Sequence, residues 1–357
     1  MIYLVLIAVV VLFSYSSIAK KDYSFLGYFL VLILALFAGL RHEVGAKPDW
    51  EVYHQVFYDA PEYLSNLFNY FSDNNRLEKG YLTYNFIIHY FVEDFNFFLV
   101  VTALFTIGLT YKSVSIYTPM TIFALLLYMR YGYFQFNMMF LRQGIAVAIF
   151  LYSIRYIKSR NIYGYFLLNI IGITFHVSLI TVLPLYFFVH KKFSPRVFLL
   201  ILASSIFLQA INIIKLLADA LPSSNIILYA FKSYVSSGEP KPFSFSFIEK
   251  PLMFFILLYY YKRLERRFEY YNLFFNLSFI GLILSILFLQ FEDLSDRFVI
   301  IFNITNIVLL TYLMRIFKGG GKLVYLFIVS LIVVFFVYKI TNAEQYIPYN
   351  ILGKIYF

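Results

Sequence analysis

Residues 24–53 read SFLGYFLVLILALFAGLRHEVGAKPDWEVY. An apolar run with no charged residue ends at Leu40. From Arg41 onward both signs of charge crowd its boundary, Gly45 and Pro48 turn the chain, and Asp49, Trp50 and Tyr53 open an amphipathic segment. An apolar run of roughly 17–20 residues has the reach of a hydrocarbon core. Lipid offers backbone groups no water, so a segment of this kind must close its hydrogen bonds internally, as a helix or within a closed barrel.

The rest of the chain repeats the pattern. Hydrophobic residues make up 62% of it and charged residues 13%, more apolar surface than a water-soluble domain of 357 residues could hide. The runs are apolar on every face, which excludes the alternation of barrel strands. The reading is therefore all-α: a polytopic transmembrane helical bundle forming a single integral membrane domain over 1–357. The spans fall at 1–18, 24–40, 96–115, 119–135, 139–157, 161–175, 177–189, 197–214, 249–262, 273–291, 298–314 and 323–339. That is about twelve crossings, within a range of roughly 10–13. The first run lacks a basic leader and a small-residue cleavage site, so it is expected to be a retained helix. Residues 80–92 are apolar but too short to cross, and are expected to lie as an interfacial helix.

Charge distribution sets the expected orientation. Lys20-Lys21, Lys112, Lys158 with Arg160, Lys191-Lys192 and the cluster Lys262 to Arg267 occupy short loops nearly free of acids, which places those loops in the cytoplasm. Residues 41–95 and 215–248 hold most of the acids and form the larger periplasmic loops. The net charge of +10 is thus a topological signal rather than a nucleic-acid footprint, and no nucleic-acid partner is expected. The absence of cysteine removes disulfides, thiolate metal sites and cysteine nucleophiles. Inverted halves of the transporter kind are not visible.

On this topology Arg41, Arg76, Arg130, Arg142 and Arg297 gather at the outer boundary. Arg142 sits in Phe140-Leu141-Arg142-Gln143-Gly144, one turn into an otherwise apolar helix, where a charge costs about 2.5–3.5 kcal/mol on insertion scales. Guanidinium forks match phosphate oxygens, so arginines facing one cavity suit a diphosphate-bearing ligand at headgroup level. The alternative for each is snorkelling, or pairing with an acid such as Asp296 or Glu43. Glu78 and Asp49 are candidates either for a general base or for an arginine's partner. His176 lies where two short apolar runs meet, and is either a base for a sugar hydroxyl or a hydrogen-bonded packing residue. Tyr53, Tyr63, Tyr81 and Tyr84 could stack on sugars, although aromatic belts and packing account for most of the 34 tyrosines and 44 phenylalanines. The histidines form no metal-ligand spacing, and neither a P-loop nor a serine elbow is present.

Taken in order, Leu40-Arg41 with Val44-Gly45 and Asp49…Tyr53, Glu78-Lys79-Gly80-Tyr81, Leu141-Arg142-Gln143-Gly144-Ile145-Ala146, Phe175-His176-Val177-Ser178 and Asp296-Arg297 resemble the EpsG-like branch of polysaccharide polymerases, similar in role to the Wzy O-antigen polymerases. The chain departs from that pattern at Ala46-Lys47-Pro48, where the family more often places Gly-Thr-Asp after the arginine turn. The resemblance implies a multi-pass glycosyltransferase of the bacterial inner membrane with its active site facing the periplasm, serving lipopolysaccharide or related polysaccharide biosynthesis. It would move a growing glycan from undecaprenyl diphosphate to the non-reducing end of another lipid-linked repeat unit. No metal and no other cofactor is implied. Arg41, Arg142, Arg297 and Arg130 would bind diphosphate, and His176, Glu78 and Asp49 would supply acid–base chemistry. Tyr53, Tyr81 and Gln143 would contact sugar. Expected partners are undecaprenyl-diphosphate-linked oligosaccharides, membrane lipids and a chain-length regulator. The alternatives are a flippase or exporter of lipid-linked oligosaccharides, or an O-antigen ligase.

Overall fold

The computed structural model describes residues 2–18, 24–44, 47–222, 226–236, 238–242, 244–343, 346, 349–351 and 355–356; the turn expected at Gly45 lies outside them. Among these residues the only strands are Asn350–Ile351 and Ile355–Tyr356, which pair antiparallel. The chain divides into two compact units, Met1–Leu183 with Met314–Phe357, and Pro184–Leu313.

The first unit contains α1 (Ile2–Ser14), α2 (Ser24–Gly39), α3 (Lys47–Tyr58), α4 (Leu67–Asp73), α5 (Lys79–Phe91), α6 (Phe95–Tyr117), α7 (Thr121–Tyr128), α8 (Leu141–Lys158) and α9 (Ile162–Ile173), and a last helix, Gly320–Thr341, that packs on α1. Local chemistry sets several of the boundaries. The Asp94 carboxylate accepts the Phe97 N–H at 2.6 Å to start α6, and the Asn161 side chain accepts the Gly164 N–H at 2.8 Å to start α9. In an apolar solvent helices gain little from hydrophobicity and associate through close packing, which small residues permit. Helix α2 shows this: a Cβ on Gly27 would lie 2.0 Å from the Tyr111 hydroxyl, and one on Gly39 2.4 Å from the Val100 Cα. Both glycines let α2 lie directly against α6.

The acid-rich segment 41–95 is a folded layer. Helices α3, α4 and α5 enclose Trp50, Tyr53, Phe57, Tyr70, Tyr81 and Leu82, which pack on Phe95, Phe98 and Leu99 at the start of α6 and on Leu141 at the start of α8. Helix α5 has 13 residues, in keeping with the short segment expected at 80–92.

In the second unit, α10 (Pro195–Ala210) and α11 (Ile213–Ala220) meet at a 63° bend. The bend turns on Asn212, whose φ of 52° lies in the left-handed region that asparagine tolerates. There follow α12 (Ile226–Ser236), α13 (Ser246–Tyr259), α14 (Tyr261–Arg267) and α15 (Tyr271–Leu287), and then Glu292–Asn303 and Thr305–Met314, bent by 41°. Phe198 sets its ring edge-on against Phe275 and Phe279, both at 5.0 Å. The Asn276 amide donates to the Val189 and Lys191 carbonyls at 2.7 and 2.8 Å, tying the chain before α10 to α15.

Helical structure occupies every one of the apolar runs named above. Among the described residues two helices, Phe95–Tyr117 and Gly320–Thr341, are long and apolar enough to cross a membrane, or up to four if each bent pair is one span. Others are shorter because the helical geometry changes within the run. The 119–135 run passes from α7 into a π-helical turn, Met129–Tyr133, and a second π turn, Gln135–Met139, precedes α8. The run from residue 177 is wound as a 3₁₀ helix, Val177–Phe187, with Pro184 inside it.

Candidate active site

Helices α8 and α9 are joined by a short turn and run antiparallel, so the start of α8 and the end of α9 share one end of the first unit. Asn169 donates to the Ser153 hydroxyl at 2.9 Å midway along the pair. At that shared end three of the quoted motifs meet. Arg142, in the first turn of α8, donates through Nη1 to Glu78 Oε2 at 2.5 Å. Glu78 immediately precedes α5, and its other oxygen accepts the Val177 N–H at 3.0 Å. That N–H belongs to the peptide following His176, in the break between α9 and the 3₁₀ helix. The break also supplies the Thr174 carbonyl, which accepts the N–H groups of Gly80 and Tyr81 at 2.9 and 3.3 Å. Helix α5 thus begins on backbone groups left open where α9 stops.

Gly80 is what allows this approach: a Cβ there would sit 2.1 Å from Thr174 Oγ1 and 2.7 Å from the Thr174 carbonyl. Gly144 does the same one turn into α8, where a Cβ would lie 2.3 Å from the Phe136 carbonyl. Both glycines stand in the quoted motifs, but their close-approach role is visible only in three dimensions.

The fourth motif comes in through α3. The Tyr53 phenol lies beside the Arg142 guanidinium, with Asp49 and Glu78 also within electrostatic reach. Burial raises the Tyr53 pKa above the ordinary phenol value, against the lowering effect of Arg142, so Tyr53 is a neutral hydroxyl at physiological pH. Tyr81 is fully buried and meets Tyr53 ring to ring at 5.7 Å. Neither ring offers an open face; both belong to the core beneath Arg142. Gln143 is buried as well. His176 is buried and its Nδ1 is 2.6 Å from the Ser178 hydroxyl, which fixes the ring.

The electrostatics of the Arg142–Glu78 pair are those of a loaded but accessible site. The two side chains are 21% and 16% exposed, so the pair is neither sealed nor fully solvated. Arg142 stands at the helix end where the macrodipole places about half a positive charge. A cation there is unfavourable alone, and Glu78 offsets it. Any anion replacing Glu78 would meet the guanidinium and the helix terminus together.

Arg41 is placed differently. Its side chain is 1% exposed. Nε donates to the Val44 carbonyl at 3.0 Å, Nη1 to the Ala38 carbonyl and Nη2 to the Met138 carbonyl at 3.2 Å. Its own carbonyl accepts from the Asn96 amide at 3.1 Å, and its backbone bridges Ile351 of the antiparallel strand pair. Tyr3, Tyr133, Tyr346 and Tyr349 surround it; the Tyr349 hydroxyl donates to the Phe37 carbonyl, and that of Tyr133 to Leu34 at 2.8 Å. Burial draws the Arg41 pKa down to about 10, so it stays charged at neutral pH.

Arg130 lies in the first π turn with its guanidinium 4.1 Å from the Phe336 ring centre, a cation–π contact with the last helix. Arg76 is exposed. Arg297 belongs to the second unit, in a π turn (Ser295–Val299), with its guanidinium 4.6 Å from the Tyr234 ring centre; the neighbouring Asp296 pairs with Lys241. Among the described residues no group of three or more histidine, aspartate or glutamate side chains is placed to hold a metal.

A family model described as the EpsG family matches residues 24–351, and the chain belongs to that family, one of Wzy-like polysaccharide-polymerase-type membrane proteins. No curated relative and no solved structure matches it.

Proposed function

We propose, with membership of the EpsG family as the premise, that this chain polymerises a surface polysaccharide at the periplasmic face of the bacterial inner membrane, and that Arg142 and Glu78 are the centre of its active site. The observation that carries the reading is the partly exposed Arg142–Glu78 pair at the start of α8, into which the α3 layer, the α5 start and the α9 break all converge. The substrates are two glycans on undecaprenyl diphosphate. The donor diphosphate takes the place of Glu78 on Arg142 and on the α8 terminus, where charge-assisted hydrogen bonds are strongest. Arg130 serves the same anion from the first π turn, while Arg41 holds the backbone on which the pocket stands.

Displacement frees the Glu78 carboxylate to act as base. The acceptor hydroxyl oxygen bonds to the donor's anomeric carbon and the carbon–oxygen bond to diphosphate breaks. The bonding pair leaves on the diphosphate, and the hydroxyl proton passes to Glu78 or to His176. A single displacement of this kind inverts the anomeric centre. Diphosphate is already a good leaving group, so preorganised cations can supply the main stabilisation of the developing charge. Tyr53 positions the Arg142 fork, Asp49 biases the same field, and Gln143 and Tyr81 shape the wall. A chain-length regulator would act as a partner protein.

The test uses purified protein in nanodiscs with a synthetic undecaprenyl-diphosphate repeat unit. The wild type should give a ladder of products and release undecaprenyl diphosphate; Arg142→Ala should give neither. A normal ladder from Arg142→Ala would overturn the site. In a parallel assay in sealed proteoliposomes, substrate crossing the bilayer without any new glycosidic bond would replace the polymerase by a flippase.

A further inference from the structure

The second unit contains a wide-mouthed cavity of about 1130 Å³, walled by α11, α12, the strap 238–242 and the turn after α15. Its size lies above the roughly 300–1,000 Å³ of small-molecule pockets and suits an extended ligand. The strap that forms its rim is held in place by backbone pairing: Lys241 donates to the Leu289 carbonyl and Glu292 to the Glu239 carbonyl, both at 3.1 Å. Gly238 lets the strap pass under Phe291, where a Cβ would sit 2.7 Å from the ring. On the opposite wall the Asn212 amide donates to Gln290 Oε1 at 2.6 Å, fixing the α10–α11 bend. The cavity is therefore preformed.

Three of its lining residues are lysines, Lys215, Lys232 and Lys241; Asp219 is the lining carboxylate, and Asp296, outside the lining, pairs with Lys241. The lysines come from three separate elements, and Lys241 is steadied by Ser295 at 3.3 Å and by Asp296. Ammonium groups are compact point charges without the planar fork that grips a diphosphate. Spread round a broad cavity, they match single negative charges repeated along a chain. The neutral lining completes the match: Gln209, Asn212 and Gln290 can bond hydroxyls, and the half-buried Phe247 offers a ring to the C–H faces of sugars.

We propose that this cavity is a binding site for an acidic oligosaccharide, a glycan carrying carboxylates on successive sugars. Its biological role as a holding site for the growing chain rests on the polymerase reading, but the binding itself does not. The probe is tetragalacturonate, with maltotetraose as the neutral control, titrated into the purified full chain in neutral-lipid nanodiscs. The acidic oligomer should bind, the neutral one should bind at least tenfold more weakly, and about 0.5 M salt should weaken the acidic oligomer selectively. The double variant Lys215→Gln with Lys232→Gln should lose tenfold or more in affinity while retaining its thermal midpoint, and Asp219→Asn should bind severalfold more tightly. Equal binding of the two oligomers, or unchanged affinity in the double variant, would overturn the proposal. So would loss of tetragalacturonate binding when phosphatidylglycerol is added to the nanodiscs at constant ionic strength, which would assign the cavity to a lipid headgroup. Because no chain growth is needed, failure of the ladder assay leaves this measurement intact, and failure here leaves the polymerase intact.

Discussion

Two arginines of the first unit came out of the sequence with the same expected role, yet their surroundings differ in kind. Arg41 is sealed, and its guanidinium is spent on three backbone carbonyls, of Ala38 in α2, Val44 in the loop after it and Met138 in the second π turn. Arg142 is one-fifth exposed and its partner is a carboxylate at the edge of a break between helices. A guanidinium closed by main-chain oxygens serves the fold; one held by an exchangeable anion can accept another anion. The difference lies in the partner rather than in the charge.

The largest effect should come from removing Arg41. Arg41→Ala strands carbonyls in a dry interior at about 1–3 kcal/mol each, so the variant should fail to yield monodisperse protein in detergent. Recovery of a folded variant would abolish the contrast. Arg142→Ala should instead be folded, with a thermal midpoint within a few degrees of wild type, and should lose about 10²-fold or more in glycosyl transfer, the scale of a lost oxyanion-type donor.

Gly80→Ala should come next. The added methyl must push Thr174 away, and with it the peptide that holds Glu78, for an expected loss of about tenfold in turnover, or roughly 1.4 kcal/mol. Adding Thr174→Ala should restore little, because the Thr174 carbonyl itself lies 2.7 Å from the new Cβ. Full rescue would show that Oγ1 alone was the obstacle.

The smallest change should be Tyr53→Phe, which removes one hydroxyl beside Arg142 and should lower turnover severalfold without changing yield. Because the Tyr53 pKa is raised, the folded state keeps a proton that the unfolded chain loses above about pH 10. That contribution to stability is present below pH 10 and declines as pH rises beyond it. The phenylalanine variant should therefore resist alkaline unfolding slightly better than wild type when midpoints are compared across that range.

Much of this was legible in the sequence because charge and histidine are costly in apolar surroundings and so stand out. Arg142 and His176 were singled out on that ground and Glu78 as a candidate base or arginine partner, and the structure brings their segments together. The separate fates of Arg41 and Arg142 were not legible, since a carbonyl acceptor leaves no mark in residue identity. Nor were the π turns: residues 129–135 read as the plain end of one span and 139 as the start of the next, yet 129–139 change helical geometry just before Arg142. The packing of 41–95 was hidden for the opposite reason. Its apolar residues are interleaved with charges, so the core they form emerges only once α3, α4 and α5 close on one another.

The shell round Arg41 has a consequence for folding. Tyr3 donates to the Tyr346 carbonyl and Tyr349 to that of Phe37, so α1 and α2 are enclosed by residues 343 and 312 positions further along the chain. A first unit with every described α-helix packed, but with Tyr346 and Tyr349 undocked, would leave the Arg41 cation short of part of its enclosure. Docking of those two tyrosines, rather than packing of the helix Gly320–Thr341, then becomes the step that dries its surroundings.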